Sequence, residues 1–384
     1  MGEDVRDLRR RLHRAAERSG EEKRTAEILR SELEPLGPDE LVDGLGGHGI
    51  AAVFGGAQDG PTVLVRGDMD ALPLPDDPSL EHASETPGTA HLCGHDGHMT
   101  IVVGVARRIA ARRPERGRVV VLFQPAEETG AGAHAVIEDP AFAPLRPDFA
   151  IAQHNLPGQP LGAVVLRHEV FASASRGMII DLHGRSAHAA EPQEGRTPVP
   201  AAAALSHALA ALPQNATALH ETGQVTVVGV EVGGPAFGTS PGDGRVMATL
   251  RAHEQGVIDR LAERATDVAR GIAATFGLEA SISWAEEFPS SPCDAELVDV
   301  VDRTARARGM QVVWRDHPYA WSEDFGHFTS RFRGVLFGLG SGVDQPALHG
   351  NGYDFPDALL EPGSDLLTDT VHAILDPGRS EREG

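Results

Sequence analysis

The chain contains 384 residues, of which 41% are hydrophobic and 23% are charged, a composition typical of a globular protein with two or three domains. Acidic residues outnumber basic residues by 56 to 34, and the net charge of −22 argues against binding to nucleic acid or to an anionic membrane. Two cysteines cannot form a disulfide framework, and neither a signal peptide nor an apolar run of about 20 residues is evident, so we expect a cytoplasmic protein.

The first half of the chain alternates between helical and strand patterns. Residues 4–34 show the spacing of an amphipathic helix, which Ser19–Gly20 can divide in two. Three apolar runs then predict buried strands, and one further stretch predicts a helix. The strands are residues 62–66, 119–123 and 149–152, and the helix is residues 101–111. The order strand, helix, strand, helix, strand predicts an α/β fold with a mostly parallel sheet flanked by helices.

The pattern changes after Phe171, where four strands and two helices follow within a short stretch. The predicted strands are residues 178–182, 224–232, 246–251 and 279–284, and the predicted helices are residues 199–212 and 257–276. This content suits a small α+β sandwich inserted into the main domain. We therefore expect a main domain formed by residues 1–173 and 289–384, and an inserted domain formed by residues 174–288.

Four segments rich in Asp, His, Cys and Glu lie at or near the ends of predicted elements of the main domain. They are residues 65–73, 91–98, 123–130 and 152–157. Open parallel sheets bind ligands at the carboxyl ends of their strands, so we expect these segments to share one site.

The spacing within two of the segments predicts a metal site. Cys93 and His95 are two residues apart, and in extended backbone both side chains would point to the same side. Thiolate and imidazole suit zinc, whereas carboxylate and imidazole also suit manganese. Glu127 and Glu128 would face different ways in extended backbone, so that one carboxylate could bind an ion while the other moves a proton. Each feature alone has an ordinary structural explanation, but together they favour a metal-dependent enzyme.

Seven ordered motifs resemble the M20 metallopeptidase superfamily, in its amidohydrolase branch of aminoacylases, hippurate hydrolases and auxin-conjugate hydrolases. The resemblance extends from Val63 to about Asp365. The motifs are residues 66–73 (RGDMDALP), 93–98 (CGHDGH), 124–128 (QPAEE), 154–157 (HNLP), 184–190 (GRSAHAA), 322–325 (SEDF) and 347–349 (ALH).

The resemblance implies a hydrolase that uses two divalent ions per subunit, manganese or zinc, to cleave the amide bond of an N-acyl amino acid or a similar small acylated amine. It assigns five residues as metal ligands: Cys93, His95, Glu128, His154 and His349. It makes Glu127 the general base and acid, and we expect Asp70 and His98 to orient the ligands without binding the ions.

The resemblance also makes the inserted domain a lid and dimerisation domain. It implies a homodimer in which His188 reaches the partner's site and stabilises the oxyanion. Two departures affect the substrate pocket, because Gly238 replaces an Asn after Phe237 and Trp321 replaces a Gly. We expect Phe237, Trp321 and Arg251 to contact substrate, although Arg251 could equally form a surface salt bridge.

Two alternatives remain open from the sequence. The protein could be a dipeptidase or an N-carbamoyl amino acid hydrolase of the same superfamily, or a catalytically silent homologue that only binds a small ligand. The remaining histidines, including His13, His82 and His91, are interpreted as ordinary surface or core residues.

Overall fold

The computed structural model describes residues 4–376. Its α-helices, in chain order, are α1 (Val5–Arg14), α2 (Lys23–Leu33), α3 (His95–Ala111), α4 (Gly132–Glu138), α5 (Val199–Ala211), α6 (Pro213–Ala216), α7 (Gln255–Thr275), α8 (Ala295–Ala307), α9 (Gly326–Thr329) and α10 (Leu360–Leu375).

The strands of the same residues are β1 (Glu40–Leu45), β2 (Gly49–Gly55), β3 (Gln58–Asp68), β4 (Arg116–Gln124), β5 (Phe149–Pro157), β6 (Val164–Leu166), β7 (Glu169–Val170), β8 (Ala174–His183), β9 (Ala187–His188), β10 (Gly223–Val232), β11 (Thr239–Ser240), β12 (Asp243–Ala252), β13 (Glu279–Phe288), β14 (Pro292–Cys293), β15 (Val312–Trp314) and β16 (Arg333–Gly342).

The chain divides into two compact units. The main unit comprises the residues up to Phe171, the segment Ser291–Pro318 and the residues from Asp324 onward. The lid unit comprises Ala172–Ser290 together with the short segment Tyr319–Glu323.

The main unit is built on a mixed sheet with the strand order β1-β2-β4-β3-β5-β16-β6-β15. Its centre is parallel, because β4 and β5 pair with β3 in parallel and β16 continues this direction beside β5. The order β3, α3, β4, α4, β5 confirms the predicted alternation and the α/β class. The sequence interpretation missed the hairpin of β1 and β2, whose second strand joins the sheet antiparallel to β4.

The N-terminal helical segment is divided where the sequence allows it. Helix α1 ends at Arg14 and α2 begins at Lys23, and Gly20 between them has a left-handed φ of 82°. The intervening residues 15–22, which we call the connector, cross from one helix to the other. Residues Leu8 and Leu12 of α1 and Leu29 of α2 are fully buried in the core.

The lid unit confirms the predicted α+β sandwich. Its four-stranded antiparallel sheet has the order β10-β12-β8-β13. Inward-facing residues of the sheet, such as Ile180 and Leu250, share one apolar core with Leu205 of α5 and Leu261 of α7. Across the described part of both units, no helix combines the length and apolar character that crossing a bilayer requires.

Candidate active site

The acidic, histidine and cysteine segments of the main unit meet at one place in the structure. Strand β3 ends at Asp68, β4 ends three residues before Glu127, and His154 lies near the end of β5. Because these three strands are parallel neighbours, their carboxyl ends share an edge of the sheet. Helix α3 begins at the same edge, with His95 as its first residue.

A left-handed glycine, rather than extended backbone, brings Cys93 and His95 together, so the sequence argument about their shared side was wrong. Gly94 has a φ of 91° and turns the chain directly into α3. A side chain at this position would also collide with Asn155, since a Cβ atom would lie 2.8 Å from its amide atoms. Glycine therefore serves both the turn and the close approach of β5.

The argument from extended backbone also failed for the two glutamates. Ala126 has a φ of 54°, and residues 127–130 form a turn closed by a hydrogen bond from the Gly130 N–H to the Glu127 carbonyl. Both carboxylates consequently approach the same histidine. Oε2 of Glu127 lies 3.9 Å and Oε1 of Glu128 lies 3.8 Å from Nε2 of His95.

The five predicted ligands form two groups that share Cys93. In the first group Cys93 lies with His95 and His154, and its Sγ is 3.6 Å from Nε2 of His154. In the second group Cys93 lies with Glu128 and His349, where Nε2 of His349 is 3.7 Å from Oε2 of Glu128. The potential ligand atoms of each group lie within 4.8 Å of one another.

The donor set fits divalent transition ions. Nε2 of His95 and Oε1 of Glu128 are buried without a hydrogen-bond partner, although they face each other and the other ligand atoms. Leaving buried polar atoms unsatisfied is costly unless another partner binds them. One thiolate, one carboxylate and three imidazoles are ligands that zinc and manganese accept.

At His95 the nearby groups, Asp68 foremost, together outweigh burial and raise the pKa, but burial dominates at the other predicted ligands. Burial raises the pKa of the Cys93 thiol well above its usual value and raises the pKa of Glu128 to about 7. It also lowers the pKa of His154 to about 3, which keeps this imidazole neutral and able to coordinate. Burial thus raises the free energy needed to ionise Cys93 and Glu128, and bound cations would lower it.

Asp70 fixes the orientation of His95, the first of the predicted ligands along α3. Nδ1 of His95 donates to the backbone carbonyl of Asp70 over 2.8 Å, which leaves Nε2 directed at the cluster. The carboxylate of Asp70 accepts hydrogen bonds from the Ser19 hydroxyl at 2.7 Å and from the Glu128 N–H at 3.0 Å. Asp70 therefore connects the His95 side of the site to the glutamate turn.

His98, which we expected to orient the ligands, contacts Asp68 and Asn155. Its Nδ1 lies 2.7 Å from Oδ1 of Asp68, and its Nε2 lies 2.5 Å from Oδ1 of Asn155. Both ring nitrogens thus have protein partners. Asn155 in turn donates to the hydroxyl of the buried Tyr353.

Asp68 is a central residue whose role the sequence analysis did not assign. It is fully buried, and although burial opposes ionisation, His95, Arg66 and His98 hold its pKa well below the usual range. Arg66 also binds Asp324 over 2.8 Å. The available signal was its position two residues before Asp70, on the same face of the strand end.

Three histidines that the sequence analysis interpreted as ordinary residues belong to a buried group of polar side chains, which we call the N-terminal histidine cluster. It consists of His13, His82, His91, Arg9, Asp76, Asp96 and Asp354. Nδ1 of His13 lies 2.8 Å from Asp96, the neighbour of His95, and the Arg9 guanidinium donates to the same carboxylate. No sequence pattern joined α1 to the start of α3.

Comparison with known protein families identifies one that covers most of the chain. The model of peptidase family M20/M25/M40 matches residues 64–373. The chain belongs to this family.

Two relatives of this M20 protein are deacetylases. The N-acetyldiaminopimelate deacetylase of Halalkalibacterium halodurans is 31% identical over 370 residues, which cover 96% of this chain and 97% of the relative. The N-acetyl-L-cysteine deacetylase of Bacillus subtilis is 29% identical over 377 residues, which cover 98% and 89%. The M20 protein is therefore a metal-dependent amidohydrolase that acts on C–N amide bonds.

A solved structure supports both the fold and the metal dependence. The YXEP protein of Bacillus subtilis, described as a dinuclear metal-binding peptidase of family M20, aligns with a TM-score of 0.81 and 26% identity. The alignment covers 97% of this chain and 98% of that protein.

The lid unit of the M20 protein brings together two of its predicted site residues. His188 lies in β9, opposite Thr239 of β11, so the loop that carries Phe237 runs beside it. The Ala190 N–H donates to Nδ1 of His188 over 3.1 Å, which places the ring proton of a neutral imidazole on Nε2. His188 and Phe237 are both exposed.

Arg251 and Trp321 form a second pair within the lid unit. The Arg251 guanidinium donates to the Ala320 carbonyl at 3.1 Å and to the Ser322 hydroxyl at 3.3 Å. Trp321 stacks on Tyr319 with 5.0 Å between ring centroids. Arg251 thus contacts both neighbours of Trp321, a role that the sequence did not suggest.

Proposed function

We propose that the enzyme hydrolyses an N-acyl amino acid, or a similar small acylated amine, with two manganese or zinc ions per subunit. The observation that carries this proposal is the pair of candidate ligand groups that share Cys93. Beside them lies a second glutamate carboxylate, that of Glu127. A shared ligand suits two neighbouring ions, and Glu127 is the additional acid–base group that hydrolysis requires.

The proposed ligands are Cys93, His95, Glu128, His154 and His349. When bound, the ions would polarise the amide carbonyl and lower the pKa of the attacking water. Glu127 accepts the proton of that water and delivers it to the leaving amine. Its side chain is only 6% exposed, so that bulk water has little access to the proton it carries.

The substrate class is supported by the relatives and by the lid residues. The two deacetylases are named for N-acetylated amino acids, in which a small acyl group is joined by an amide bond to an amino acid. We assign Phe237, Arg251 and Trp321 to substrate contact. Arg251 would act there either directly or through the segment that carries Trp321.

Substitution of Glu127 by Gln tests the proposal. The change preserves size and removes the proton acceptor, so kcat should fall by a factor of about 10² to 10⁴ while both ions are retained. Metal content by mass spectrometry and release of free amine should be measured on the same samples. Full activity would remove Glu127 from the mechanism, and loss of metal would exchange the roles of the two glutamates.

A substrate panel separates this activity from related ones. N-acetyl, N-benzoyl and longer N-acyl amino acids, dipeptides and N-carbamoyl amino acids should be assayed with manganese and with zinc. Preferred cleavage of dipeptides or carbamoyl compounds would establish one of the alternatives within the superfamily, and no cleavage of any amide would favour a silent binding role. The cytoplasmic location stays a prediction.

We further propose a homodimer that forms through the lid unit and in which His188 serves the partner's site. Two observations support it: Nε2 of His188 is available as a donor, and the edge strand β10 exposes Val228 and Val230. Removing one oxyanion donor typically costs a factor of about 10² to 10³ in turnover.

Subunit mixing tests the shared site. The His188→Ala and Glu127→Ala proteins should each be nearly inactive, and exchange should create mixed dimers with one complete site. With random exchange about half of the dimers are mixed, so activity should approach about a quarter of wild type. Absence of recovery after proven exchange would place His188 in its own subunit or outside the mechanism.

A further inference from the structure

The connector between α1 and α2 contacts both halves of the candidate site within the main unit. The Glu17 carbonyl accepts a hydrogen bond from the Ala71 N–H at 2.8 Å, and the Ser19 hydroxyl donates to Asp70 at 2.7 Å. At its other end, Oε1 of Glu22 accepts from the Ala126 N–H at 2.8 Å. The residues just after β3 and the glutamate turn are therefore held by one short segment.

Glu22 is a fully buried carboxylate that no step of the proposed mechanism uses. Its Oε1 also accepts from the Gly20 N–H at 2.9 Å, while its Oε2 is buried without a hydrogen-bond partner. Burying a carboxylate costs folding free energy unless hydrogen bonds compensate for the lost water. One of its two contacts falls on the residue directly before Glu127.

Ala126 has a conformation that needs such support. Its φ of 54° lies in the left-handed region, which costs a non-glycine residue roughly 1 kcal/mol or more. Its carbonyl accepts from the Gly132 N–H at 3.1 Å and from the Thr129 hydroxyl at 3.2 Å. Glu22 fixes the N–H on the other side, so both peptide groups of Ala126 are held.

We propose that Glu22 is a positioning residue for Glu127, because its carboxylate holds the left-handed turn at Ala126 that directs Glu127 and Glu128 into the site. The inference rests on the proposed role of Glu127 as general base. The proposed role depends on the length of the Glu22 side chain and not on its charge, because its contact with Ala126 is a single accepted hydrogen bond.

Two substitutions separate reach from charge. Glu22→Gln keeps an acceptor at the same distance and removes the charge, so kcat should stay within about threefold of wild type. Glu22→Asp keeps the charge and withdraws the carboxylate by about 1.5 Å, beyond reach of the Ala126 N–H. Because small misplacements of catalytic groups can cost a factor of about 10², we expect kcat to fall at least tenfold with KM within about threefold.

Glycine at position 126 supplies a rescue. Glycine adopts the left-handed conformation without penalty, so Glu22→Asp/Ala126→Gly should recover at least threefold in kcat over Glu22→Asp. A binding measurement complements the rates, since Glu128 is in the same turn. Chelator competition should show weaker Mn²⁺ or Zn²⁺ binding in Glu22→Asp and wild-type binding in Glu22→Gln. Glu21→Ala, a change at an exposed neighbouring glutamate, should leave rates and binding unchanged.

The outcomes are decisive when Glu127→Gln is assayed in parallel. Wild-type kcat in Glu22→Asp, or equal losses in Glu22→Asp and Glu22→Gln, would overturn the positioning role even if Glu127→Gln is inactive. Full activity of Glu127→Gln would instead overturn the proposed function on which the inference rests. Thermal unfolding of each variant confirms that it is folded, and the Ala126→Gly single variant is the baseline for the rescue.

Discussion

His13 should make the stability of the protein fall as the pH rises above neutrality. Its two ring nitrogens lie 2.8 Å from Asp96 and 3.1 Å from Asp76, so that both face carboxylates inside the N-terminal histidine cluster. Although burial opposes the charged form, these two aspartates raise the pKa of His13 to about 9. An imidazole in an unfolded chain titrates near 6.5.

The sign and size of the effect follow from these two pKa values. Because the folded state binds the proton more tightly, the stabilisation is complete below pH 6.5 and is lost as the pH rises through 9. At about 1.4 kcal/mol per pH unit, the rise corresponds to about 3 kcal/mol of unfolding free energy. This is a large fraction of the 5–15 kcal/mol typical of a folded protein.

Urea denaturation between pH 6 and pH 10 measures the effect. Across this range wild type should lose about 3 kcal/mol more unfolding free energy than His13→Gln, because glutamine does not titrate. His207→Gln, at an exposed histidine of the lid unit, is the matched control and should follow wild type. If wild type and His13→Gln had the same pH dependence, His13 would not be the charged member of the cluster.

Three further changes test the site. Cys93→Ser should weaken Mn²⁺ and Zn²⁺ binding at least tenfold in chelator competition, because a hydroxyl is a poor substitute for a thiolate. The control variant Cys293→Ser should bind these ions as wild type does, and equal affinity of the two variants would remove Cys93 from the ligands. Trp321→Gly should change the ranking of a graded acyl series at constant metal content, since single methylenes in a pocket are worth about 1–3 kcal/mol; an unchanged ranking would exclude Trp321 from the pocket. Gly97 lies on the first turn of α3, and a Cβ atom there would lie 2.3 Å from the ring of Phe355. Gly97→Ala should therefore lower both thermal stability and metal affinity, and wild-type behaviour would mean that the ring can move away.

The alternation of apolar runs and helical patterns was sufficient to predict the centre of the sheet and the lid sandwich. Such patterns reflect burial, which is why β3, β4 and β5 were found. The apolar run of β2 is almost fully buried and carried the same signal, but it was overlooked, whereas Leu41 and Val42 of β1 are only partly buried and lack a clear period. The identities of the candidate ligands were also predictable, because their residue types and order resemble a known family.

The geometry that joins the ligands was not predictable from local pattern. Two left-handed residues, Gly94 and Ala126, set the directions of the cysteine and glutamate segments, and a period of two along extended backbone cannot describe them. The contacts of Arg9, His13 and Glu22 join residues far apart in the chain, which only tertiary packing can bring together. Sequence therefore predicted the candidate residues of the site but not the contacts that hold them in place.

The position of β16 has a consequence for the synthesis of the protein. This strand pairs with β5 on one side and with β6 on the other, although the whole lid unit precedes it in the chain. Until β16 leaves the ribosome, one edge of β5 has no native partner, and open strand edges promote aggregation. The main sheet consequently cannot be completed during translation until Gly342 has emerged, and a chain truncated between Pro157 and Arg333 would present β5, with His154 on it, as an open edge.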